Sequence, residues 1–260
     1  MIPADWFIPD GIHLAFTDRL GGVSQAPYAS LNLGDHVGDE PTVVQQNRAL
    51  LVQQLALPSA PLWLTQVHGI EVMDADVACK VDVINNVTAP QADGSFSQQA
   101  GRVLSVMTAD CLPVLMCDAA GKQLAALHAG WRGLCHGILE AGIAKFTNIS
   151  ADNPLYAYLG PAIGPQAFEV GAEVRDAFLQ TTTNAAQCFT AQANIDAQPN
   201  SNGQKYLADL QQLARLRLRQ AGVQHIYALP HCTYSQPDKY FSYRRESVTG
   251  RMASLIWRTA

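Results

Sequence analysis

Residues 108–133 read TADCLPVLMCDAAGKQLAALHAGWRG, a stretch in which apolar runs meet potential ligand side chains. Two apolar runs, Arg102 to Met107 just before the stretch and Gln123 to Leu127 inside it, predict short buried strands. Cys111 follows the first run and His128 the second, so two strong ligand or nucleophile side chains stand at strand ends, where side chains converge. Pro113 biases Leu112 away from helical dihedrals and keeps the chain extended after Cys111. Gly130 permits a sharp turn after His128, and the apolar spacing of GWRGLCHGILEAGIAKF predicts a helix over 131–146 beside the site.

Elsewhere the pattern mixes strands and helices without an internal repeat. Residues 11–17 alternate as a strand, and the turn-rich DRLGGVSQAPYASLN predicts a loop. Asp39 or Glu40 is placed to cap a helix with Pro41 in its first turn and VVQQNRALLVQQLAL as its body. WLTQVHG and IEVMDAD read as strand segments on either side of His68. Residues 82–99 are polar and predict a loop containing an ADGSFS turn. LYAYLGPAIGP reads as a buried strand ending in a Gly and Pro loop, and FEVGAEVRDAFLQ as a short helix. Residues 181–203, rich in Thr, Asn, Gln and Ala, predict a surface excursion. A helix carrying Leu207, Leu210, Leu213, Ala214 and Leu218 is expected next, followed by strands at VQHIYALP, FSYRR and RMASLIW. The order favours an α+β fold, a single mixed αβ domain over 1–260 with layered β-sheets flanked by helices.

Composition narrows the function. A chain of 260 residues, 48% of them hydrophobic, buries a substantial core. A net charge of -5 offers no basic footprint for nucleic acid or an anionic membrane surface, so a small ligand is the better expectation. MIPADWFIPDG has neither a basic n-region nor an unbroken apolar h-region, and no apolar run reaches membrane-spanning length, which predicts a cytoplasmic protein. Cys79, Cys111, Cys117, Cys135, Cys188 and Cys232 form no dense framework, as expected of reduced thiols, and Cys79 and Cys188 are placed in loops.

Catalytic zinc is commonly held by three protein ligands with water in a fourth, open position, and His68, Cys111 and His128 supply a His2Cys set. Their wide spacing leaves a plainer alternative open, in which Cys111 is a small buried hydrophobe and the histidines are hydrogen-bonded at the edge of the core. His13, His136 and His225 fall on strand or helix patterns and read as packing or surface residues. GPAIGP, residues 160–165, lacks the lysine of a phosphate-binding loop and reads as a tight turn. Arg48, Arg132, Arg244 and Arg245 are able to bind phosphate, although such arginines usually serve as ion-pair partners.

Taken together, SLNLGDHVGD (30–39), Asn47 with Arg48, QVHG (66–69), ADG (92–94), TADCLP, HAGWRG, GPAIGP, FEVG (168–171) and FSYRR with a later TGR resemble the YfiH family. That family is also called the laccase-domain or polyphenol oxidase family, and its members are mostly described as purine nucleoside phosphorylases. The resemblance covers essentially the whole chain. It implies a zinc held by His68, Cys111 and His128. It also implies phosphorolysis of adenosine, inosine, guanosine and methylthioadenosine by orthophosphate, together with deamination of adenosine. On that reading Arg48 and the His36 region are the expected phosphate binders, and Asp110 or Asp93 manages protons. Loss of Arg48 is then expected to harm phosphorolysis more than deamination. Two other chemistries fit the same residues: a metal-free cysteine hydrolase or amidase acting on peptidoglycan precursors, with Cys111 activated by His128, and a copper-dependent phenol oxidase.

Overall fold

In the computed structural model, residues 2–78, 89–193 and 203–259 are described. The first half holds β1 (Ile12–Phe16), α1 (Pro41–Gln54), β2 (Val72–Asp74), α2 (Ala75–Ala78), β3 (Gly94–Ser97), β4 (Val103–Thr108), β5 (Leu112–Asp118) and β6 (Leu124–Ala129). There follow α3 (Trp131–His136), α4 (Ile138–Ile143), β7 (Leu155–Leu159), β8 (Glu169–Gly171), α5 (Ala172–Thr181) and β9 (Phe189–Ala191). The described chain closes with β10 (Lys205–Ala208), α6 (Leu210–Gln220), β11 (His225–Ala228) and β12 (Met252–Arg258).

The opening stretch forms the centre of a six-stranded sheet with the order β11-β7-β5-β6-β3-β2. Its middle is the antiparallel β5–β6 hairpin, with Leu112 opposite Ala129 and Pro113 opposite His128. Every residue of these two strands is buried, so neither reads as an alternating pattern. Successive side chains nevertheless leave on opposite faces. Val114, Met116, Ala125 and Leu127 pack under helices α3 to α6, with Leu134, Ile138, Leu139, Leu213 and Leu218. Leu115, Cys117, Leu124 and Ala126 pack against Leu104, Val106 and Ile256 of the antiparallel three-stranded sheet β1-β12-β4. The result is the expected layered αβ arrangement of sheet, sheet and helices. A small antiparallel sheet, β8-β10-β9, lies alongside.

Several local expectations are corrected. Leu112–Asp118 is a full strand, not merely an extended connector, and His128 lies inside β6 rather than beyond it. Gly137, at φ 108°, breaks the helix expected over 131–146 into two, a conformation costly for any side chain-bearing residue. WLTQVHG forms only the isolated bridge Thr65–Gln91, next to a second bridge from the preceding Leu62 to Leu104, and strand character after His68 shrinks to Val72–Asp74 before α2 begins. The ADGSFS turn is instead the start of buried β3, where small residues are required because the side chain of Leu127 packs over Gly94. The rest of the expected 82–99 loop up to residue 88 lies outside the described residues.

Glu40 occupies the N-cap of α1 without a side-chain cap bond, and Asp39 instead accepts from Ser24 and Asn32. Residues 169–171 form a strand before the expected helix, which starts at Ala172. Leu207 belongs to β10, and Asp209 caps the shorter helix α6 by accepting from the Gln212 amide at 2.8 Å. FSYRR is a turn, not a strand. Cys188 is the buried last residue of a single-turn helix over Ala185–Cys188, not part of a loop, and β9 follows it within the expected excursion. Residues 194–202 and Cys79 lie outside the described residues, and the five described cysteines are free thiols. Among the described residues no helix is long and apolar enough to cross a membrane.

Candidate functional site

The site is built where β4 ends at Thr108 and β6 at Ala129. Alternation along β6 puts His128 on the same face as Leu124 and Ala126, toward the smaller sheet. Cys111 begins the return into β5 after Asp110, whose φ is 93°. His68 comes from the loop before β2 with φ 61°, in the left-handed region that residues other than glycine seldom adopt.

The ligand atoms of His68, Cys111 and His128 lie within 4.8 Å of one another, the only such metal-competent group among the described residues. Cys111 Sγ is 3.7 Å from His68 Nε2, and the two imidazole rings meet edge-on with centroids 4.8 Å apart. A tetrahedral ion bonded at about 2.3 Å to sulfur and about 2.0 Å to nitrogen sets those donors about 3.5 Å apart, so the spacing fits a metal. His128 is buried and turns Nδ1 to Asp93 Oδ1 at 2.8 Å, which leaves Nε2 as its ligand atom. Burial opposes ionisation of Cys111, but the neighbouring His128 and His68 outweigh it and pull the thiol below its ordinary range. Burial likewise disfavours charge on His128, and the Cys111 sulfur and Asp93 overcome it, raising the imidazole. The lowered thiol favours the thiolate that metal ligation requires, whereas the raised His128 has to give up its Nε2 proton before that atom can ligate.

Gly130 closes the floor of this cluster. A Cβ there would stand 2.8 Å from His68 Cδ2 and 3.0 Å from Cys111 Sγ, closer than the packing permits. Gly130→Ala is therefore expected to displace a ligand while the sheet stays intact. Since a misplacement near 1 Å costs on the order of a hundredfold in rate, turnover should fall by about that factor with little change in melting temperature. Parallel assays of activity, metal content and thermal unfolding check it.

The three side chains open into a cavity of about 450 Å3, also lined by His36, Gln66, Arg132, Tyr243 and Arg251. Arg132 is exposed, stacks over Trp131 at 4.5 Å, and has no hydrogen bond or ion pair among the described residues. Arg251 is half-buried, with Nη1 donating to the carbonyls of Thr249 and Gly250 at 3.0 Å. Its burial lowers its pKa, an effect that Cys111 and Asp110 oppose. Burial and the Arg251 charge also hold His36 below the usual histidine range, against the pull of Asp35. Gln66 clamps β4 by receiving the Met107 amide at 2.7 Å and donating to the Met107 carbonyl at 2.8 Å.

Of the residues expected from sequence, the structure brings together His68, Cys111, His128, His36 and Arg132. It does not bring Arg48 to the cavity. Arg48 donates through Nε and Nη2 to the Leu33 carbonyl, lies 3.3 Å from Asp35, and stacks 4.3 Å over Trp63. Asp110 is also outside the cavity lining. Its carboxylate accepts from Thr233 Oγ1 at 2.6 Å, Ser242 Oγ at 3.0 Å and the Arg244 amide at 2.7 Å, tying the FSYRR turn to the Cys111 segment. Asp93, expected to move protons, is wholly buried and fully bonded. In GPAIGP, the Ile163 and Gly164 amides donate to the Asp110 carbonyl and the Cys232 sulfur, consistent with a structural turn. Met107, Thr108, Ala109, Gln66, Tyr243 and Arg251 line the cavity without having been singled out from sequence, and the signal for the last three was their presence in QVHG, FSYRR and TGR.

Comparison with known proteins shows the family and the fold. Residues 13–259 match the family described as multi-copper polyphenol oxidoreductase laccase. The chain is 48% identical over 259 residues to purine nucleoside phosphorylase YfiH of Escherichia coli K12, covering 99% of this chain and 98% of that one. It is 45% identical to purine nucleoside phosphorylase PA4543 of Pseudomonas aeruginosa, covering 97% and 96%. The crystal structure of Neisseria meningitidis protein NMB0706 superposes with a TM-score of 0.86 at 45% identity, covering 99% of this chain and 98% of that one. YlmD from Geobacillus stearothermophilus superposes with a TM-score of 0.84 at 31% identity, covering 96% and 93%. On sequence and fold alike, the chain belongs to the YfiH family, the family described as multi-copper polyphenol oxidoreductase laccase.

Proposed function

We propose that this protein is a zinc-dependent purine nucleoside phosphorylase acting on adenosine, inosine, guanosine and methylthioadenosine, with a second, deaminating activity on adenosine. The observation that carries the reading is the convergence of His68, Cys111 and His128 at a cavity that also presents Arg132 and Arg251. Its volume of about 450 Å3 lies in the range of small-molecule sites. The relatives at 48% and 45% identity are named purine nucleoside phosphorylases, which supports the phosphorylase part of the reading. Zinc, when bound, supplies Lewis acidity and lowers the pKa of water or polarises an oxygen of the substrate.

The protein's own groups then divide the work. Arg132 and Arg251 hold orthophosphate by charge-assisted hydrogen bonds, replacing the expected role of Arg48. His36, neutral near pH 7 because burial and Arg251 disfavour its proton, adds a hydrogen bond without competing charge. Tyr243 is 57% exposed at the rim and offers a ring face for the purine. Asp110 holds the turn that carries Tyr243 and serves substrate only through that placement.

A second reading has one observation in its favour: the depressed Cys111 thiol beside a raised His128 is also the pairing of a metal-free cysteine hydrolase. Metal analysis of protein purified without added metal, combined with product analysis on adenosine, separates the possibilities. Zinc near one equivalent with ribose 1-phosphate and free base as products is expected. Copper with phenol oxidation, or hydrolase activity that survives removal of metal, would overturn the proposal.

A further inference from the structure

We infer that Asp93 is the positioning residue that holds both histidines of the metal site in ligating geometry, and that a carboxylate is required there. The inference rests on the metal reading of His68, Cys111 and His128 and deepens it. Asp93 is 0% exposed, and its two oxygens meet four donors. Oδ1 accepts from His128 Nδ1 and the His68 amide, both at 2.8 Å. Oδ2 accepts from the Gly69 amide at 2.6 Å and the Val67 amide at 3.2 Å.

Three consecutive amides, 67 to 69, thus cup one carboxylate, an arrangement that stabilises an anion. The cup forms around His68, whose φ of 61° is unfavourable for an ordinary residue and is held by these bonds. The same carboxylate orients the His128 ring from the opposite side. Backbone bonds fix its position: the Asp93 amide donates to the Glu71 carbonyl at 3.0 Å, and its carbonyl accepts the His128 amide at 2.7 Å. One buried side chain therefore couples the QVHG loop to β6.

The donor count makes the requirement specific. All four partners donate, so both side-chain atoms must accept, and asparagine offers only one accepting atom. Whichever way its amide is turned, an NH2 group faces either the Gly69 and Val67 amides or the His68 amide and the histidine ring. In the first case the amides on either side of His68 lose their acceptor, and in the second both histidines do. A residue that merely filled space would tolerate the exchange.

The test uses the full chain, freed of metal and titrated with Co2+ against a competing chelator, with thermal unfolding of the metal-free protein measured alongside. Asp93→Asn is expected to weaken Co2+ binding by about 10- to 100-fold, the range for outer partners of metal ligands. Asp118→Asn is the matched control. Asp118 is equally buried and also meets only donors, from Lys122, Gln123 and Asn153, at the far end of β5 from Cys111. It should lower stability and leave Co2+ affinity unchanged. Gly69→Ala, whose Cβ would lie 3.3 Å from Asp93 Oδ2, gives a milder perturbation should Asp93→Asn not fold, and a smaller loss in the same direction is expected. Wild-type affinity in both Asp93→Asn and Gly69→Ala, or an equal loss in Asp118→Asn, would overturn the inference alone. Failure of the wild type to bind Co2+ would overturn the metal reading beneath it.

Discussion

Cys111→Ala and His128→Ala are each expected to leave a folded protein that has lost its metal and its purine turnover. The loss should exceed the roughly 10- to 100-fold that follows removal of an outer partner, because a direct ligand disappears. The two variants should differ in stability. Cys111 is only half-buried, and its sulfur faces the His68 ring at 3.7 Å, so its truncation leaves the Asp93 hydrogen bonds intact. His128→Ala strips one of four donors from the buried Asp93 carboxylate, a defect of about 1–3 kcal/mol. His68→Asn is the suitable third variant, since asparagine tolerates the left-handed backbone that His68 occupies. Metal content, product formation and melting temperature measured on the same preparations check all three. Full metal occupancy with normal turnover in Cys111→Ala would remove it from the ligand set.

Arg132→Ala is expected to separate the two proposed reactions. Orthophosphate carries charge that a guanidinium must meet, whereas water needs no such partner. A hydrogen bond to a charged group contributes about 1.5–3 kcal/mol, so ribose 1-phosphate formation should fall by about tenfold to somewhat over a hundredfold. Inosine formation from adenosine should persist. Arg132 is the cleaner probe because it has no other polar partner among the described residues, whereas Arg251 also holds the Thr249 and Gly250 carbonyls. Arg48→Ala should instead reduce both products together and lower the melting temperature, because that side chain anchors the Leu33 carbonyl and packs on Trp63. Chromatography of inosine, free base and ribose 1-phosphate at matched metal occupancy distinguishes these outcomes. Equal loss of both products in Arg132→Ala would reassign it to a structural role, and absence of ribose 1-phosphate from the wild type would end the phosphorylase reading.

The side chains at the centre of the site were legible because their chemistry is local. Cysteine and histidine beside apolar runs advertise ligands whatever the surrounding fold, and the motifs around His68, Cys111 and His128 strengthen that signal. The layered αβ arrangement followed from a similar local source, apolar runs of strand length mixed with helical spacing. Where the reading stopped short, the deciding interactions were distant in sequence. β3 looked like a polar turn because serine and glycine carry no strand signal, and its burial is imposed by Leu127 and Val72 across the sheet. The division at Gly137 is a backbone conformation that apolar spacing does not register.

Arginine and aspartate were the residues least readable from sequence, since a charge declares what it can bind but not what it meets. Arg48 meets a carbonyl, an aspartate and an indole away from the cavity, and Arg251 reaches the cavity from the other end of the chain. Asp110 meets three donors more than a hundred residues distant, and Asp93 joins the loop of His68 to the strand of His128. The sequence by itself determined which side chains are able to act as ligands and the layered class of the fold, because both depend on residue type and short-range periodicity. Only the tertiary structure decided which charges face the cavity and which brace it, because a buried ionic group takes its role from partners that folding alone brings within hydrogen-bonding distance.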